Sequence, residues 1–156
     1  DYNVVNYLLN RELLFIPSYP LIGKARERTD FLDRVMNSKQ LYERDIIFFD
    51  TFSALVKNDI DEHKAIRTLA FFKKLAGMNK TIIMTLEEGD IPENVISPFK
   101  SDADIYISLN MQMMEGTTVR TIMVKRYVQS LLPVVEATGF RIEPLRGFII
   151  DITTVA

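Results

Sequence analysis

Three short apolar runs without polar alternation constrain the fold of this chain most strongly. They are ELLFIP from Glu12 to Pro17, IIFFD from Ile46 to Asp50, and TIIMT from Thr81 to Thr85. A strand that faces water on one side alternates apolar and polar residues, whereas a strand covered by helices on both faces does not. The runs therefore predict parallel strands at roughly Leu13 to Ile16, Ile46 to Asp50 and Thr81 to Thr85, joined by helical crossovers.

The segments around these runs have helical spacing. Asn3 to Asn10 is typical of the end of a helix. A second helix is expected after Thr29 or Asp30, either of which can cap it, and it closes at Arg44. A third is expected over about Asp61 to Gly77, where the sequence GMN stops it. These helices are the crossovers that a parallel sheet requires.

The sequence pattern changes after Asp104, from apolar runs separated by helical segments to closely spaced strand-like segments. Four strand-like segments follow closely, separated by turn residues such as Gly116, Pro133 and Gly147; they are ADIYISL, TVRTIMVKR, TGFRIE and GFIIDITTV. Close spacing of this kind favours hairpins. The predicted fold class is therefore α/β, with a parallel sheet core and an antiparallel extension at its C-terminal end.

Length and composition narrow the possible classes of protein. A chain of 156 residues fits one domain, which buries about 70% of the surface that its unfolded form exposes. Because the chain has no cysteine, disulfides and thiolate metal sites are excluded. It has no secretory signal and no apolar run of membrane-spanning length, which predicts a cytoplasmic protein. The net charge of −2 provides no basic surface for nucleic acid or an anionic membrane.

A carboxylate ends the second apolar run, and hydroxyls surround it. Asp50 is followed by Thr51 and Ser53, and Thr85 ends the next run. In an open parallel sheet, ligands bind outside the carboxyl ends of the strands, so Asp50 and Thr85 are expected at one rim. A carboxylate there can hold Mg²⁺ through its water shell beside a phosphate, which is the Walker B pattern. An aspartate that only caps the following turn competes with this interpretation on even terms.

The order and spacing of five segments resemble the core of the RecA-like ATPases of the KaiC class. The segments are IIFFDTFSAL, KTIIMTLEE, ADIYISL, VRTIMVKRY and FRIEPLRGFIIDI. Within that class the chain is most similar to the archaeal flagellar (archaellum) accessory ATPases, the FlaH or ArlH family. The segment YLLNRELLFIP is similar to the approach to that family's third strand. The resemblance extends over nearly the whole chain.

The resemblance implies a function and a set of site residues. It implies ATP and Mg²⁺ as cofactors of the intact protein, with Asp50 on the metal through water and Thr51 and Thr85 beside the nucleotide. It also implies that Lys125 and Arg126 approach the nucleotide of a neighbouring subunit in a homo-oligomeric ring, although ordinary surface charge explains this pair equally well. The implied partners are the archaellum motor ATPase and its membrane platform protein, and the implied location is cytoplasmic, peripheral to the membrane-anchored motor.

One departure from the family is as informative as the match. The family's glycine-rich phosphate loop precedes Asp50 by more residues than the forty-nine present in this chain. The pair Gly23-Lys24 lacks the upstream glycines and the following hydroxyl that wrap a phosphate, so a surface loop is expected there. We therefore expect the chain to be the C-terminal two-thirds of one RecA-like domain without its Walker A region. By itself it should bind ATP no more tightly than about millimolar.

Three classes of function are compatible with these observations. The first is a nucleotide-binding regulatory subunit of the archaeal flagellar motor, with slow or absent ATP turnover. The second is a KaiC-like or recombinase-like ATPase, although the acidic stretch from Glu87 to Asp104 argues against DNA. The third is an interaction module without catalysis. Catalytic residues remain unassigned. Glu87 and Glu88 fit an acidic turn better than a water-polarising site, and His63 fits a solvated helix residue.

Overall fold

The computed structural model describes residues 4–18, 29–114, 116–129 and 137–151. These residues form two compact units. The first, Val4–Ser101, is called the core unit here, and the described residues from Asp102 onward are called the sheet unit. Gly23-Lys24, the pair expected in a surface loop, lies outside the described residues.

The core unit is built from helices and two strands. Its elements are α1 (Val5–Leu9), α2 (Phe31–Asn37), a 3-10 helix (Lys39–Glu43), β1 (Ile46–Phe49), α3 (Phe52–Val56), α4 (Glu62–Gly77), β2 (Thr81–Met84) and α5 (Glu93–Asp102). The strands β1 and β2 are parallel, with Ile46 opposite Thr81 and Phe49 opposite Met84. The predicted parallel pairing of these two runs, with helices in the connection, is therefore confirmed.

The long helix α4 begins and ends where the sequence predicts. Asp61 is its N-cap, and the carboxylate accepts a hydrogen bond from the Lys64 amide at 2.7 Å. This bond satisfies one of the amides that a helix leaves unpaired at its start. The helix ends at Gly77, and Asn79 follows with a positive φ of 66°. Local capping is sufficient to fix both ends.

The run Leu13–Ile16 is not a strand, so the prediction of a third parallel strand is wrong. The chain turns at Arg11, whose φ is 59°, and the amides of Glu12 and Leu13 both donate to the Tyr7 carbonyl. The residues that follow pair with no described strand, and Phe15 is 74% exposed. An apolar run does not by itself form a strand, because the backbone amides and carbonyls of a strand need hydrogen-bond partners on an adjacent strand.

The helix after Asp30 is shorter than predicted. It ends at Asn37, because Ser38 adopts an extended ψ of 92°, and a separate 3-10 turn covers the residues up to Glu43. Asp30 occupies the N-cap position, but its carboxylate pairs with Arg34 at 2.7 Å and makes no capping bond. The predicted end at Arg44 is therefore wrong, since the spacing alone does not reveal the break.

The core unit buries one face of its parallel pair. Ile47 and Phe49 point into the core, whereas Ile46 and Phe48 lie on the other face and are 64% and 56% exposed. Among the described residues, the core thus covers one face of this pair and leaves an apolar face exposed. The buried hydrophobic side chains are Leu32, Val35, Ile47, Phe49, Phe52, Val56, Ala65, Phe72, Leu75, Ile91, Val95, Ile96 and Phe99.

The sheet unit is a four-stranded antiparallel sheet. Its strands are β3 (Ile105–Met114), β4 (Thr117–Tyr127), β5 (Ala137–Glu143) and β6 (Gly147–Asp151), and neighbours in the chain are neighbours in the sheet. The predicted hairpins are confirmed. Gly116 and Gly147 have φ values of 78° and 80°, a conformation that glycine adopts without steric cost at a turn.

Candidate functional site

Asp50 and Thr85 lie side by side at the carboxyl edge of the parallel pair. Each is the first residue after its strand, and because β1 and β2 run in the same direction they end together. The Thr85 hydroxyl donates to Asp50 Oδ1 at 3.1 Å, and both side chains are exposed. The predicted adjacency of these two side chains is confirmed.

Thr51 contributes a second hydroxyl to the same carboxylate oxygen. Its Oγ1 donates to Asp50 Oδ1 at 3.3 Å. Thr51 is the N-cap residue of α3, but its side chain makes no capping bond, which leaves the hydroxyl available for Asp50. No described residue donates to Asp50 Oδ2, and no described backbone amide donates to the carboxylate. The geometry therefore does not make Asp50 a cap for α3; two hydroxyls orient one carboxylate oxygen of this exposed residue.

Backbone hydrogen bonds join the loop after β1 to the loop after β2. The Thr85 amide donates to the Phe49 carbonyl at 3.1 Å, and the Phe52 amide donates to the Thr85 carbonyl at 2.8 Å. These bonds continue the parallel ladder beyond the strands. The positions of the carboxylate and of both hydroxyls therefore depend on backbone pairing and not on flexible side chains alone.

Ser53 points away from this rim and into the protein. Only 1% of the residue is exposed, and its hydroxyl has two partners. It accepts a hydrogen bond from the Glu87 amide at 2.8 Å and donates one to Asp90 Oδ2 at 2.9 Å. The sequence placed Ser53 beside Asp50 but did not indicate these contacts, because its partners are 34 and 37 residues away.

The acidic stretch after β2 forms a turn, as predicted. Glu87 and Glu88 are exposed, and Gly89 has a φ of 87°, which a turn of this kind requires. The Asp90 amide donates to the Glu87 carbonyl at 3.4 Å and closes the turn. The carboxylates of Glu87 and Glu88 therefore lie in the loop that follows Thr85.

Lys125 and Arg126 lie at the end of β4 in the sheet unit. The register between β3 and β4 shifts between Tyr106 and Ile107, and Lys125 is the extra residue of the resulting bulge. Arg126 Nε donates to the Ala103 carbonyl at 2.7 Å, which ties this end of β4 to the start of β3. Arg126 thus has a contact within its own unit, and a nucleotide role for this pair stays a prediction.

A buried carboxylate that sequence reasoning missed lies in the core unit. The side chain of Asp59 is fully buried and pairs with Lys64, and its Oδ2 accepts the Leu32 amide at 2.7 Å. This bond satisfies an amide in the first turn of α2, which Asp30 leaves uncapped. The hydrogen bond to Asp59 raises the pKa of Lys64 above its ordinary value. The pair holds α2 in place, whereas His63 is exposed beside it.

The described segments contain no group of three or more histidine, aspartate or glutamate side chains that could hold a metal ion by direct coordination. In the same segments, no helix has both the length and the apolar character needed to cross a membrane.

No family model matches the chain, but individual known proteins resemble it both in sequence and in structure. The archaeal flagellar ATP-binding protein FlaH of Methanocaldococcus jannaschii is 32% identical over 156 residues, which cover all of this chain and 67% of that protein. The archaeal flagellar ATP-binding protein FlaH of Methanococcus voltae is 31% identical over 155 residues, again 67% of its length.

Solved structures confirm the fold class. The crystal structure of the flagellar accessory protein FlaH from M. jannaschii superimposes with a TM-score of 0.85 at 31% identity, over 96% of this chain and 66% of that one. A KaiC-like protein from Pyrococcus horikoshii gives a TM-score of 0.56 at 18% identity, a likeness of fold alone. The predicted RecA-like α/β class is confirmed, and the chain spans about two thirds of the length of these FlaH proteins.

Proposed function

Because the chain belongs to the family of the archaeal flagellar ATP-binding protein FlaH, we propose that it carries the Walker B part of an ATP site. The protein would be a nucleotide-binding accessory subunit of the archaeal flagellar motor. The observation that carries this proposal is the cluster of Asp50, Thr51 and Thr85 at the carboxyl edge of a parallel pair. That edge is where open parallel sheets bind their ligands.

The cluster fits a hydrated magnesium ion. Thr51 and Thr85 donate to one oxygen of Asp50 and hold the carboxylate plane, while Oδ2 remains open to accept a hydrogen bond from a metal-bound water. Asp50, Thr51 and Thr85 would hold a hydrated Mg²⁺ here, and the ion would supply positive charge to neutralise nucleotide phosphates. In this proposal Asp50 orients the metal's water shell, and Thr51 and Thr85 lie beside the phosphates.

The phosphate loop of the site is proposed to lie outside this chain. In this view residues 1–156 are the C-terminal part of one RecA-like domain, and a longer protein, called the intact protein below, supplies the Walker A segment. ATP occupancy would control assembly with the motor ATPase and the membrane platform protein, and Lys125 and Arg126 would reach a neighbouring nucleotide in a ring. The location would be cytoplasmic, at the periphery of the motor. The M. jannaschii relative is a flagellar accessory protein, which supports this role.

Asp50→Asn in the intact protein tests the assignment. The substitution keeps the shape and a hydrogen-bonding oxygen but removes the charge, so ATP binding with magnesium should weaken by about 1 to 3 kcal/mol, the range of a charge-assisted hydrogen bond. Binding without magnesium should change little. Isothermal titration of ATP with and without magnesium measures both quantities.

Asp45→Asn is the matched control. Asp45 precedes β1, is exposed, and pairs with Lys80 at 3.0 Å, so it lies at the opposite end of the same strand. Its substitution should leave both affinities unchanged. Equal affinity of the wild type and Asp50→Asn in both conditions would refute the Walker B assignment. A wild-type protein that binds no ATP would instead indicate an interaction module.

A further inference from the structure

The loops after β1 and β2 are joined by a continuous series of hydrogen bonds from the rim to the interior. At the rim, Thr85 donates to Asp50 through its side chain. In the middle, the Phe52 amide donates to the Thr85 carbonyl at 2.8 Å. In the interior, Ser53 accepts the Glu87 amide and donates to Asp90. The segments 50–53 and 85–90 are therefore bonded to each other at successive depths.

The two ends of this series differ in exposure. The bonds to Asp50 are exposed, so water competes with them and they exchange readily when a ligand arrives. The bonds of Ser53 are shielded, since only 1% of that residue is exposed, and a buried polar group is costly to leave without a partner. A ligand can therefore rearrange the rim while the inner bonds persist, and any displacement of the first turn of α3 is passed on through them.

The Ser53 hydroxyl leaves the acidic turn little freedom to move separately. A hydroxyl has a single proton, and Ser53 donates it to Asp90 while accepting from the Glu87 amide. Both ends of the turn from Glu87 to Asp90 are thus attached to one side chain on the first turn of α3. Moving α3 without the turn would leave the Glu87 amide and the Ser53 hydroxyl unpaired.

We propose that Ser53 is a positioning residue that couples occupancy of the Asp50 site to the acidic turn from Glu87 to Asp90. The coupling rests on the proposed function, since Asp50 must hold a magnesium nucleotide for it to operate. When the ligand recruits Asp50 and Thr85, the loop after β1 shifts, and Ser53 moves the turn with it. The exposed carboxylates of Glu87 and Glu88 then present a different surface in the bound and free states.

Amide hydrogen exchange of the intact protein tests this coupling, with and without magnesium and ATP. In the wild type, the ligand should change the exchange rates of the Glu87 and Asp90 amides by at least about tenfold. In Ser53→Ala the Glu87 amide should exchange faster in both states, and the response to the ligand should vanish. Ser53→Thr, which keeps the hydroxyl, should restore the response. Asp90→Ala, at a partly exposed position, should lose it without disturbing the core.

Thr68→Val is the matched control for removal of a buried hydroxyl. Thr68 is fully buried on α4, and its Oγ1 has no hydrogen-bond partner among the described residues. This variant should keep both the ATP affinity and the response of the turn. A purely structural role for Ser53 predicts the opposite pattern, in which Ser53→Ala lowers the melting temperature but the turn still responds to the ligand.

The outcomes separate the two proposals. If the wild type binds ATP with magnesium dependence through Asp50 and the Glu87 and Asp90 amides do not respond, the coupling is refuted and the site stands. If the turn responds equally in the wild type and in Ser53→Ala, Ser53 does not transmit the change and the coupling is again refuted. If ATP binding shows no dependence on magnesium or on Asp50, the proposed site fails and the coupling fails with it.

Discussion

The core unit and the sheet unit differ in where their apolar side chains lie. In the core unit, the described residues between Leu32 and Phe99 include every buried hydrophobic side chain of the described chain. In the sheet unit, alternate residues of β3 are apolar but exposed, and Met113 is 72% exposed. The opposite face of β3 carries polar residues such as Asn110. The core unit is thus stabilised by a packed hydrophobic core, and the sheet unit mainly by the backbone hydrogen bonds between its strands.

The contrast follows from how each kind of sheet is connected. Hairpins place antiparallel strands next to each other through local turns, so β3 to β6 pair in chain order. Parallel strands need a crossover, and β1 and β2 are only four residues long. Their alignment therefore depends on packing, in which Phe49 contacts the rings of Phe52 on α3 and Phe72 on α4. The candidate site lies on the unit with the core because packing holds side chains at fixed positions.

Truncation of Phe52 should have the largest effect and test this contrast directly. Phe52 is fully buried and contacts the rings of Phe49, Phe72 and Phe99, with centroids 5.7 to 6.1 Å apart. Phe52→Ala should lower the free energy of unfolding by about 4 kcal/mol, because it removes the transfer free energy and leaves a cavity. Urea denaturation of the intact protein measures the change.

Leu109→Ala is the matched truncation in the sheet unit. Leu109 is 67% exposed, so its substitution should change the free energy of unfolding by no more than about 0.5 kcal/mol. A loss comparable to that of Phe52→Ala would contradict the contrast, and would mean that another surface covers this face of β3 in the intact protein.

Removal of Asp59 should have the next largest effect. Asp59→Ala leaves the Leu32 amide without its acceptor and Lys64 without its partner, which should cost about 3 kcal/mol. Glu143→Ala is the comparison in the sheet unit, where partly exposed arginines contact the carboxylate. That substitution should cost less than about 1 kcal/mol. If urea denaturation shows that both variants lose the same free energy of unfolding, burial does not make the Asp59 pair more important for stability than the exposed pairs of Glu143.

Tyr42→Phe should have a smaller effect than Asp59→Ala at neutral pH and a distinct one at alkaline pH. The Tyr42 hydroxyl donates to the Val35 carbonyl at 2.9 Å, so its loss should cost about 1 kcal/mol. Burial raises the pKa of Tyr42 from 10.0 to about 12. The folded state therefore holds this proton more tightly than the unfolded state, and the resulting stability is complete below about pH 10 and lost as the pH rises towards 12.

A second group, Lys64, also contributes to the dependence of stability on alkaline pH. The pKa of Lys64 is also raised, so loss of its proton destabilises the fold as the pH increases in the same direction. Tyr42→Phe should therefore reduce the slope of stability against pH without abolishing it. Identical slopes for the wild type and Tyr42→Phe, measured by urea denaturation at increasing pH, would show that Tyr42 ionises without effect on folding.

The part of the site that strand direction controls was predictable from the sequence. Asp50 and Thr85 each end an apolar run, and parallel strands end at one edge, so the pattern predicts that the two side chains are neighbours. In the structure a hydrogen bond of 3.1 Å joins them. Leu13–Ile16 is also an apolar run but forms no strand, because apolar content does not say whether a run has a partner strand. The end of α2 was not predictable either, because the extended residue Ser38 divides a segment with continuous helical spacing.

The sequence by itself determined the features that neighbouring residues control. Asp61 caps α4 through an amide three residues away, and Gly116 and Gly147 supply the positive φ that their turns require. The helix cap depends on a hydrogen bond within one turn, and the glycine turns depend on the conformational preference of a single residue. A local sequence pattern is therefore sufficient to predict both.

Only the tertiary structure decided which polar groups the core encloses. Asp59 reaches the Leu32 amide across 27 residues, and Ser53 reaches Asp90 across 37. In the sequence both are ordinary polar residues of turns and helix starts. Asp59 and Ser53 hold distant segments together because packing removes water from around them. A buried donor or acceptor then needs a hydrogen-bond partner within the fold, wherever in the chain that partner lies.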